Sequence, residues 1–254
     1  MVVPTVTGWA VATEARRREL GRCLRAYRDL VSPTLVGLPA GGRRRTPGLR
    51  REEVAALAGV GVTWYTWLEQ GRVTASEQVV DAVGRVLGID DVGLGHLHAL
   101  VRPAVPGVTG PEALRPLLAG WPTDPAVLLD ARLDAVAVNE PWKGAFGPTV
   151  GRAVLRALLD RDEPDDVAEL VRALARRLRM VSNLLPDDGR LARVRAGVRS
   201  AAPGLAPLWD CRSVGAFGRP RVRLAGVDRE AYLLGQAGSP DAVEGAVLVL
   251  LRSS

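Results

Sequence analysis

Two short helical patterns that lie between Arg50 and Gly71 limit the possible folds of this chain more than any other feature. The first pattern, RREEVAALAG, has the small residue Ala55 where crossing helices need space, and Gly59 can take the positive φ of a tight turn. The second pattern, VTWYTWLEQG, ends at a glycine that can cap a helix. Its inward apolar anchors are Val60, Tyr65 and Leu68. The spacing therefore predicts two short helices joined by a tight turn, which is the geometry of a helix-turn-helix.

Helical periodicity also flanks this pair of patterns. Residues 14–30 repeat apolar side chains at i, i+3 and i+4, which predicts an amphipathic helix with arginines on its outer face. Residues 32–48 are interrupted by prolines and glycines and predict a loop. Ser76 is a suitable N-cap for the helix that follows it, and residues 90–101 predict a further helix. The first part of the chain therefore predicts an all-α bundle of five helices.

Positive charge is concentrated near the start of the chain. Residues 16–51 contain eleven arginines against only Glu19 and Asp29, whereas the whole chain has a formal net charge of +6. Arginine enrichment over a whole chain also occurs in proteins from GC-rich genomes, so the distribution is more informative than the total. A concentrated positive face indicates a polyanionic partner, and a solvated loop is the alternative. Beside a helix-turn-helix pattern, the first interpretation is favoured.

The two helical patterns and the arginines around them give a set of candidate DNA contacts. Arginines near the helices can pair with phosphates, which would position the protein without reading sequence. The phosphate-contact candidates are Arg43, Arg44, Arg45, Arg50, Arg51 and Arg72. The base-reading candidates are Val62, Thr63, Trp64, Thr66 and Trp67. Thr63 can hydrogen-bond a base edge, Val62 and Thr66 can meet a thymine methyl group, and Trp67 is equally able to pack on a neighbouring helix.

The composition and the periodicity of the sequence change after residue 102. RPAVPGVTGP (102–111) is rich in proline and glycine and predicts a linker. AVLLDARLDAVAVN (126–139) predicts two short strands around a turn near Ala131 and Arg132. Helices are predicted near 151–160, from Pro164 onward, near 188–200 and at the end, where SPDAVEGAVLVLLR has Ser239 as cap and Pro240 at the first helical position. The segments RVRLAGV, EAYLLGQ and RSVGAF predict further short strands, so this part has an α+β pattern.

These motifs resemble a known family. Residues 20–101 are similar to the Xre (lambda-repressor-like) helix-turn-helix domain, and VGLPAGGRRRTPGLRREEVAALAGV with YTWLEQGR resembles a subset in which a MmyB-like ligand-binding domain follows. PAVLLDARLDAVAVNEPWKGAFG (125–147) is similar to the start of that second domain, and APLWD and AYLLGQAGSP to its later elements. Family members often carry a polar residue at the position of Gly61, an arginine at that of Trp67, and a Ser or Thr cap at that of Arg50.

The resemblance implies a two-domain fold: an N-terminal all-α lambda-repressor-like five-helix bundle and a C-terminal α+β PAS-like domain. The expected organisation is a flexible leader (1–18), a helix-turn-helix domain (19–102), a linker (103–120) and a PAS-like domain (121–254). It implies a sequence-specific DNA-binding transcriptional regulator whose second domain senses a small apolar ligand. Because one short recognition helix reads few base pairs, a homodimer on double-stranded DNA is expected. The alternative is an antitoxin-like DNA-binding module whose second domain binds a protein.

A PAS-like fold implies a cavity between a curved sheet and its helices. The residues that could line it are Val136, Val138, Trp142, Phe146, Trp209 and Tyr232. The alternative is that these side chains form the core of the second domain, which needs its aromatic residues inside.

Enzymatic and metal sites receive little support. No nucleophile elbow, P-loop or dinucleotide fingerprint is present, so no catalysis and no cofactor are expected. Cys23 and Cys211 lie far apart in sequence, which does not favour a disulfide framework or a zinc site. His96 and His98 fall on different faces of a helix, so they cannot bind one metal ion together. The carboxylates at 160–166 stand where a helix begins, which favours acidic residues in any case. No signal peptide or membrane span is predicted, so a cytoplasmic protein is expected.

Overall fold

The computed structural model describes residues 14–39, 48–102, 114–130, 132–161, 164–210, 217–234 and 247–253. These residues belong to two compact units, one with the described residues up to Arg102 and one with those from Leu114 onward. None of the helices in these ranges combines the length and the apolar character needed to cross a membrane.

The first unit is the predicted five-helix bundle. Its helices are α1 (Glu14–Leu30), α2 (Arg51–Ala58), α3 (Val62–Glu69), α4 (Glu77–Val86) and α5 (Asp91–Val101). Ser76 and Asp90 cap α4 and α5 by accepting hydrogen bonds from Val79 N–H and Gly93 N–H. The completely or almost completely buried core side chains include Leu20, Leu24, Leu49, Val54, Tyr65, Leu68, Val83, Leu97 and Leu100.

The sequence predicted that the arginines of α1 lie on its outer face, and this prediction is wrong for two of them. Arg16 and Arg28 are buried in line with Leu20 and Leu24, at four-residue intervals along one side of the helix. Arg16 donates from Nη1 to the carbonyl oxygen of Arg102 at 3.1 Å. Both arginines therefore take part in packing, because each has an internal hydrogen-bond acceptor to satisfy its guanidinium.

The second unit is built on a five-stranded antiparallel sheet in the order β2-β1-β5-β4-β3. The strands are β1 (Ala126–Leu129), β2 (Ala135–Val138), β3 (Arg221–Leu224), β4 (Val227–Leu234) and β5 (Val247–Ser253). The hairpin predicted at 126–139 and the two strands predicted in RVRLAGV and EAYLLGQ are thus confirmed. Most of RSVGAF lies outside the described residues.

The predicted C-terminal helix is wrong over the residues that the structure describes. Val247–Ser253 forms β5, which pairs with β1 on one side and with β4 on the other. Val249, Leu250 and Leu251 are almost fully buried there. A short apolar run with two valines fits a central strand, and pairing on both edges overrides the helix-start signals at Ser239 and Pro240, which lie outside the described residues.

In the described residues, five helices accompany the sheet: α6 (Glu140–Phe146), α7 (Val154–Leu159), α8 (Ala168–Leu184), α9 (Gly189–Ala201) and α10 (Ala206–Asp210). The predicted helix from Pro164 begins as a 3-10 turn, Pro164–Val167, and continues as α8. One face of the sheet contributes Val127, Leu129, Val249 and Leu251 to the main core with these helices. The α+β class predicted for this part is confirmed.

The opposite face of the sheet carries a smaller apolar cluster. A 3-10 helix, Arg115–Gly120, places Leu118 against Ala126, Leu128 and Leu250. The last residues of the predicted linker (103–120) therefore pack on the sheet, while residues 103–113 lie outside the described part of the chain.

Candidate nucleic-acid interface

The two helices of the predicted motif are joined by the expected tight turn. Gly59 has φ 70° and ends α2, and Val60 N–H donates to the carbonyl oxygen of Ala55 at 2.9 Å. Gly61 is extended (φ −69°, ψ 137°), and its carbonyl oxygen accepts the first bond of α3 from Tyr65 N–H. Ala55 and Tyr65 are fully buried. The helix-turn-helix geometry therefore follows from a small residue, a positive-φ glycine and an apolar anchor.

The start of α2 lacks the usual Ser or Thr cap. Arg50 occupies the N-cap position, and the Glu53 carboxylate accepts the Arg50 N–H at 2.6 Å. Glu52 and Glu53 also place negative charge in the first turn, which the helix dipole favours. The acidic residues of α2 thus replace the missing hydroxyl at its N-terminus.

The recognition helix α3 presents a mixed apolar and polar surface. Val62 is 46% exposed and Trp67 43% exposed, and Thr63 is also exposed. Trp64 and Thr66 are half-buried, and Thr66 Oγ1 donates to the Val62 carbonyl oxygen at 2.9 Å. Of the five base-reading candidates, the structure therefore exposes Val62, Thr63 and Trp67 most.

The phosphate-contact candidates fall into three groups. Arg50 and Arg72 are exposed at the start of α2 and just beyond the end of α3. Arg51 is half-buried, and its Nε lies 2.7 Å from Glu69 Oε2, so its guanidinium is paired with a carboxylate of the protein itself. Arg43, Arg44 and Arg45 lie outside the described residues.

A buried ionic cluster beneath α3 was not recognised in the sequence. Arg28 Nε donates to Glu69 Oε1 at 2.6 Å, and Arg51 Nε donates to Glu69 Oε2 at 2.7 Å. The Glu69 side chain is only 2% exposed, so its charge is compensated almost entirely by these two arginines. We refer to Arg28, Glu69 and Arg51 as the ionic cluster. It connects α1, the start of α2 and the end of α3.

The electrostatics of the ionic cluster are consistent with permanent charge on Arg28. Burial lowers the pKa of Arg28, but hydrogen bonding to Glu69 and its negative charge outweigh that effect, so the pKa is raised overall. Burial, reinforced by the charge of Glu69, raises the pKa of the adjacent Tyr65 hydroxyl far above its ordinary value. Arg28 Nη1 also donates to the Leu49 carbonyl oxygen at 2.8 Å. The chain that enters α2 is therefore held against α1.

Close backbone contacts reinforce this arrangement. A Cβ added at Gly21 of α1 would lie 2.3 Å from the Glu69 carbonyl oxygen. A Cβ added at Gly71, which has φ 71°, would lie 2.7 Å from Arg18 Cα. The end of α3 thus touches the backbone of α1 directly. For the ionic cluster, the available signal in the sequence was Arg28, an arginine aligned with the apolar stripe of α1.

The six pocket candidates of the second unit do not converge on one site. Trp142 is fully buried in the main core and donates from Nε1 to Thr149 Oγ1 at 3.0 Å, with the Phe146 ring centroid at 4.3 Å. Trp209 is buried in the same core, and the partly buried Val138 packs against that core. Val136 and Tyr232 instead pack against the cluster on the opposite face of the sheet. The candidates therefore divide between the two faces.

Two of the surface grooves lie wholly within the described residues. A groove of about 310 Å³ in the first unit is lined by Val36, Leu57, Ala58, Ala82, Arg85 and Val86. A groove of about 370 Å³ in the second unit is lined by Glu169, Arg172, Ala173, Arg176, Phe217, Arg219 and Pro220. Neither includes a pocket candidate from the sequence.

Two of the polar residues considered for metal binding, His98 and Asp160, have other partners. His98 Nε2 lies 2.8 Å from Asp81 Oδ1, and Asp160 pairs with Arg156 at 2.8 Å. Across the ranges that the structure describes, no group of three or more His, Cys, Asp or Glu side chains could hold a metal ion.

Comparison with protein families agrees with this architecture. A model described as a helix-turn-helix domain matches residues 19–97, which cover most of α1 to α5. A model described as MmyB-like transcription regulator ligand binding domain matches residues 111–229, so its match ends within β4 and before β5. Comparison with curated protein sequences gave no match. The chain is therefore a helix-turn-helix protein that carries an MmyB-like transcription regulator ligand binding domain.

Proposed function

We propose that this protein is a sequence-specific DNA-binding transcriptional regulator of the Xre type that acts in the cytoplasm. The observation that carries this proposal is the exposed face of α3, which lies between two exposed arginines, Arg50 and Arg72, and is anchored from below by the ionic cluster. A short helix anchored in this way can enter a major groove while flanking cations contact the backbone.

Different residues of the first domain have different roles in the proposed DNA recognition. Val62, Thr63 and Trp67 are the side chains that read base edges and methyl groups from the surface of α3. Arg50 and Arg72 pair with phosphates, and Arg43, Arg44 and Arg45 extend that contact along the backbone. Arg51 acts differently, because its bond to Glu69 makes it a positioning residue for α3.

The second domain serves as the sensor. The family description names ligand binding, and the apolar side chains of its core support a small apolar ligand. Because α3 has only eight residues, it spans few base pairs, and we propose that two copies of the chain bind an operator with twofold symmetry.

The proposal is tested by DNA binding at several salt concentrations. We expect affinity for a selected operator to fall steeply with salt, since phosphate contacts release counterions. The double variant Arg50→Gln with Arg72→Gln should reduce the slope of log affinity against log salt by about 2, at about 0.9 for each lost phosphate contact. The triple variant Arg43→Ala, Arg44→Ala and Arg45→Ala should weaken binding to all sequences alike.

A matched control separates contact from total charge. Arg195 and Arg199 are exposed on α9, and replacing both with glutamine removes the same two charges from the other unit. This control should keep the parent slope. Affinity that does not change with salt would contradict the proposal and favour an antitoxin-like module that binds a protein partner.

A further inference from the structure

The side of the recognition helix α3 that faces solvent carries only uncharged side chains. Four residues with the spacing i, i+1, i+4 and i+5 form this side, since such positions adjoin on a helix surface. They are Val62, Thr63, Thr66 and Trp67. Thr66 is half-buried and the other three are exposed. Tyr65, Leu68 and Glu69 are buried on the opposite side, so α3 can present only its uncharged side to the bases.

This side of α3 lacks the side chains that read purines through paired hydrogen bonds. In the major groove, Arg or Lys reads guanine in this way, and Asn or Gln reads adenine. The helix VTWYTWLE contains none of these four residue types. Gln70 and Arg72 follow only after its last turn, whereas the early residues of a recognition helix contact the bases. Paired hydrogen bonds from α3 to guanine or adenine are therefore unavailable.

The hydrogen-bond donors that α3 does carry are single. Thr63 has one hydroxyl group, and the indoles of Trp64 and Trp67 have one N–H each. The Thr66 hydroxyl already donates to the Val62 carbonyl oxygen at 2.9 Å. Val62 and Trp67 are 46% and 43% exposed and add a large apolar area. The surface thus combines apolar contacts with isolated donors.

The charged residue at the end of α3 does not change this surface. The Glu69 side chain is only 2% exposed and is compensated by Arg28 and Arg51 of the ionic cluster. The first turn of α3 contains no acidic residue. Because the side chains that meet the groove are neutral, selectivity has to come from apolar contact and single hydrogen bonds.

Thymine is the base whose major-groove edge fits such a surface. It presents the C5 methyl group beside one acceptor, O4. Guanine presents two acceptors, adenine an acceptor and a donor, and cytosine a donor without a methyl group. Apolar side chains with isolated donors therefore complement thymine better than they complement any other base.

We propose that α3 selects its operator by thymine methyl groups, which Val62 and Trp67 contact while Thr63 donates to O4. This inference rests on the proposed function, because it concerns the bases that α3 reads once the domain is bound to a duplex. It deepens that function by naming the class of sequence. Each half-site should contain thymines, on either strand, where α3 enters the major groove.

The test removes methyl groups from the DNA. Operators are first selected from random duplexes with the full chain, and each thymine is then replaced singly by deoxyuridine, which lacks the methyl group but keeps O4 and the base pairing. Each contacted thymine should lose about three- to fivefold in affinity, as expected for the burial of one methyl group. Thymines outside the half-sites are the internal control and should change affinity by less than about twofold, because no contact is lost there.

Variants of the protein show whether α3 itself senses the methyl groups. Val62→Ala and Trp67→Ala should each reduce the loss caused by deoxyuridine at one thymine position, because the methyl group there no longer has its partner. Val92→Ala, at an exposed valine of α5, is the matched control and should keep the full loss at every contacted thymine. Circular dichroism of each variant checks that it is folded.

Three results would overturn the proposal: selected half-sites without thymine, deoxyuridine that leaves affinity unchanged at every position, or the full loss retained by both Val62→Ala and Trp67→Ala. The last result would mean that the methyl groups act through the shape of the DNA. A parent that binds uracil-containing operators as tightly as the originals would support the proposed function while contradicting this inference. A parent that binds no duplex would contradict both.

Discussion

Arg28 and Glu69 are 41 residues apart in sequence, yet Arg28 Nε donates to Glu69 Oε1 at 2.6 Å inside the first domain. This bond joins the first helix of the bundle to the last residue of the recognition helix. Arg51 shares the same carboxylate from the start of α2. The Glu69 side chain thus connects both helices of the motif to α1, so the orientation of α3 depends on Glu69.

Replacing Glu69 with glutamine should destabilise the first domain. The change leaves the buried Arg28 without its main countercharge, and breaking a buried pair from one side costs about 3–5 kcal/mol. Urea unfolding would measure this loss. Glu14→Gln removes an exposed partner of Arg18 and should change stability by less than about 1 kcal/mol. Equal stability of the two variants would contradict the role given to Glu69.

Gly21 and Gly95 offer a test of helix contact. A Cβ at Gly21 would lie 2.3 Å from backbone at the end of α3, whereas nothing lies within 4 Å of one at Gly95. Gly21→Ala should therefore destabilise the domain by about 1–3 kcal/mol, as overpacking does, and weaken DNA binding. Gly95→Ala should stabilise α5 by up to about 1 kcal/mol. Thermal unfolding of both variants checks the opposite signs.

Thr63→Ala should change which DNA sites are preferred. Thr63 is exposed on α3 and can donate to a base edge, so its loss should reduce discrimination at one base pair by about tenfold. Binding to a library of operator variants would measure this. Thr74→Ala, at an exposed threonine beyond the end of α3, is the matched control and should leave the site preference unchanged. Uniform weakening at every position would contradict a reading role.

Acid should destabilise the start of α9 through Asp188. The Leu191 N–H, followed by the Arg132 side chain, lowers the pKa of Asp188 below its ordinary value near 4. A carboxyl with a depressed folded-state pKa contributes stability above its unfolded pKa and loses it as pH falls through the folded value. The contribution should thus be complete at neutral pH and decline below about pH 4.

Asp188→Ala tests this effect by removing both the cap and the ion pair with Arg132. The variant lacks the cap that accepts from Arg190 N–H and Leu191 N–H, and it should lose about 1 kcal/mol at neutral pH. Its difference from the parent should shrink toward pH 2, where the parent carboxyl is protonated. A difference that stays constant between pH 7 and pH 3 would argue against the charged cap.

Local signals predicted most of the first domain. Its five helices follow from apolar periodicity, and the tight turn follows from Gly59, because these features act over a few residues. The bond between Arg28 and Glu69 could not be predicted in the same way, since it forms only when distant helices pack. An arginine aligned with an apolar stripe was the one available sign.

Non-local pairing limited the prediction of the second domain. The hairpin of β1 and β2 was accessible because its strands are neighbours in sequence. β5 was mistaken for a helix because its position between β1 and β4 is set by partners far away in the chain. The same non-local packing divides the aromatic pocket candidates, which places Trp142 and Tyr232 on different faces of the sheet.

The position of β5 has a consequence for folding during synthesis. The five helices of the first domain are complete by residue 101, so this domain can fold while the rest of the chain is still being made. The sheet of the second domain consists of two hairpins, β1–β2 and β3–β4, that meet only through β5. Until residues 247–253 leave the ribosome, each hairpin exposes an unpaired edge. The helix-turn-helix domain can therefore mature before the ligand binding domain that follows it in the chain.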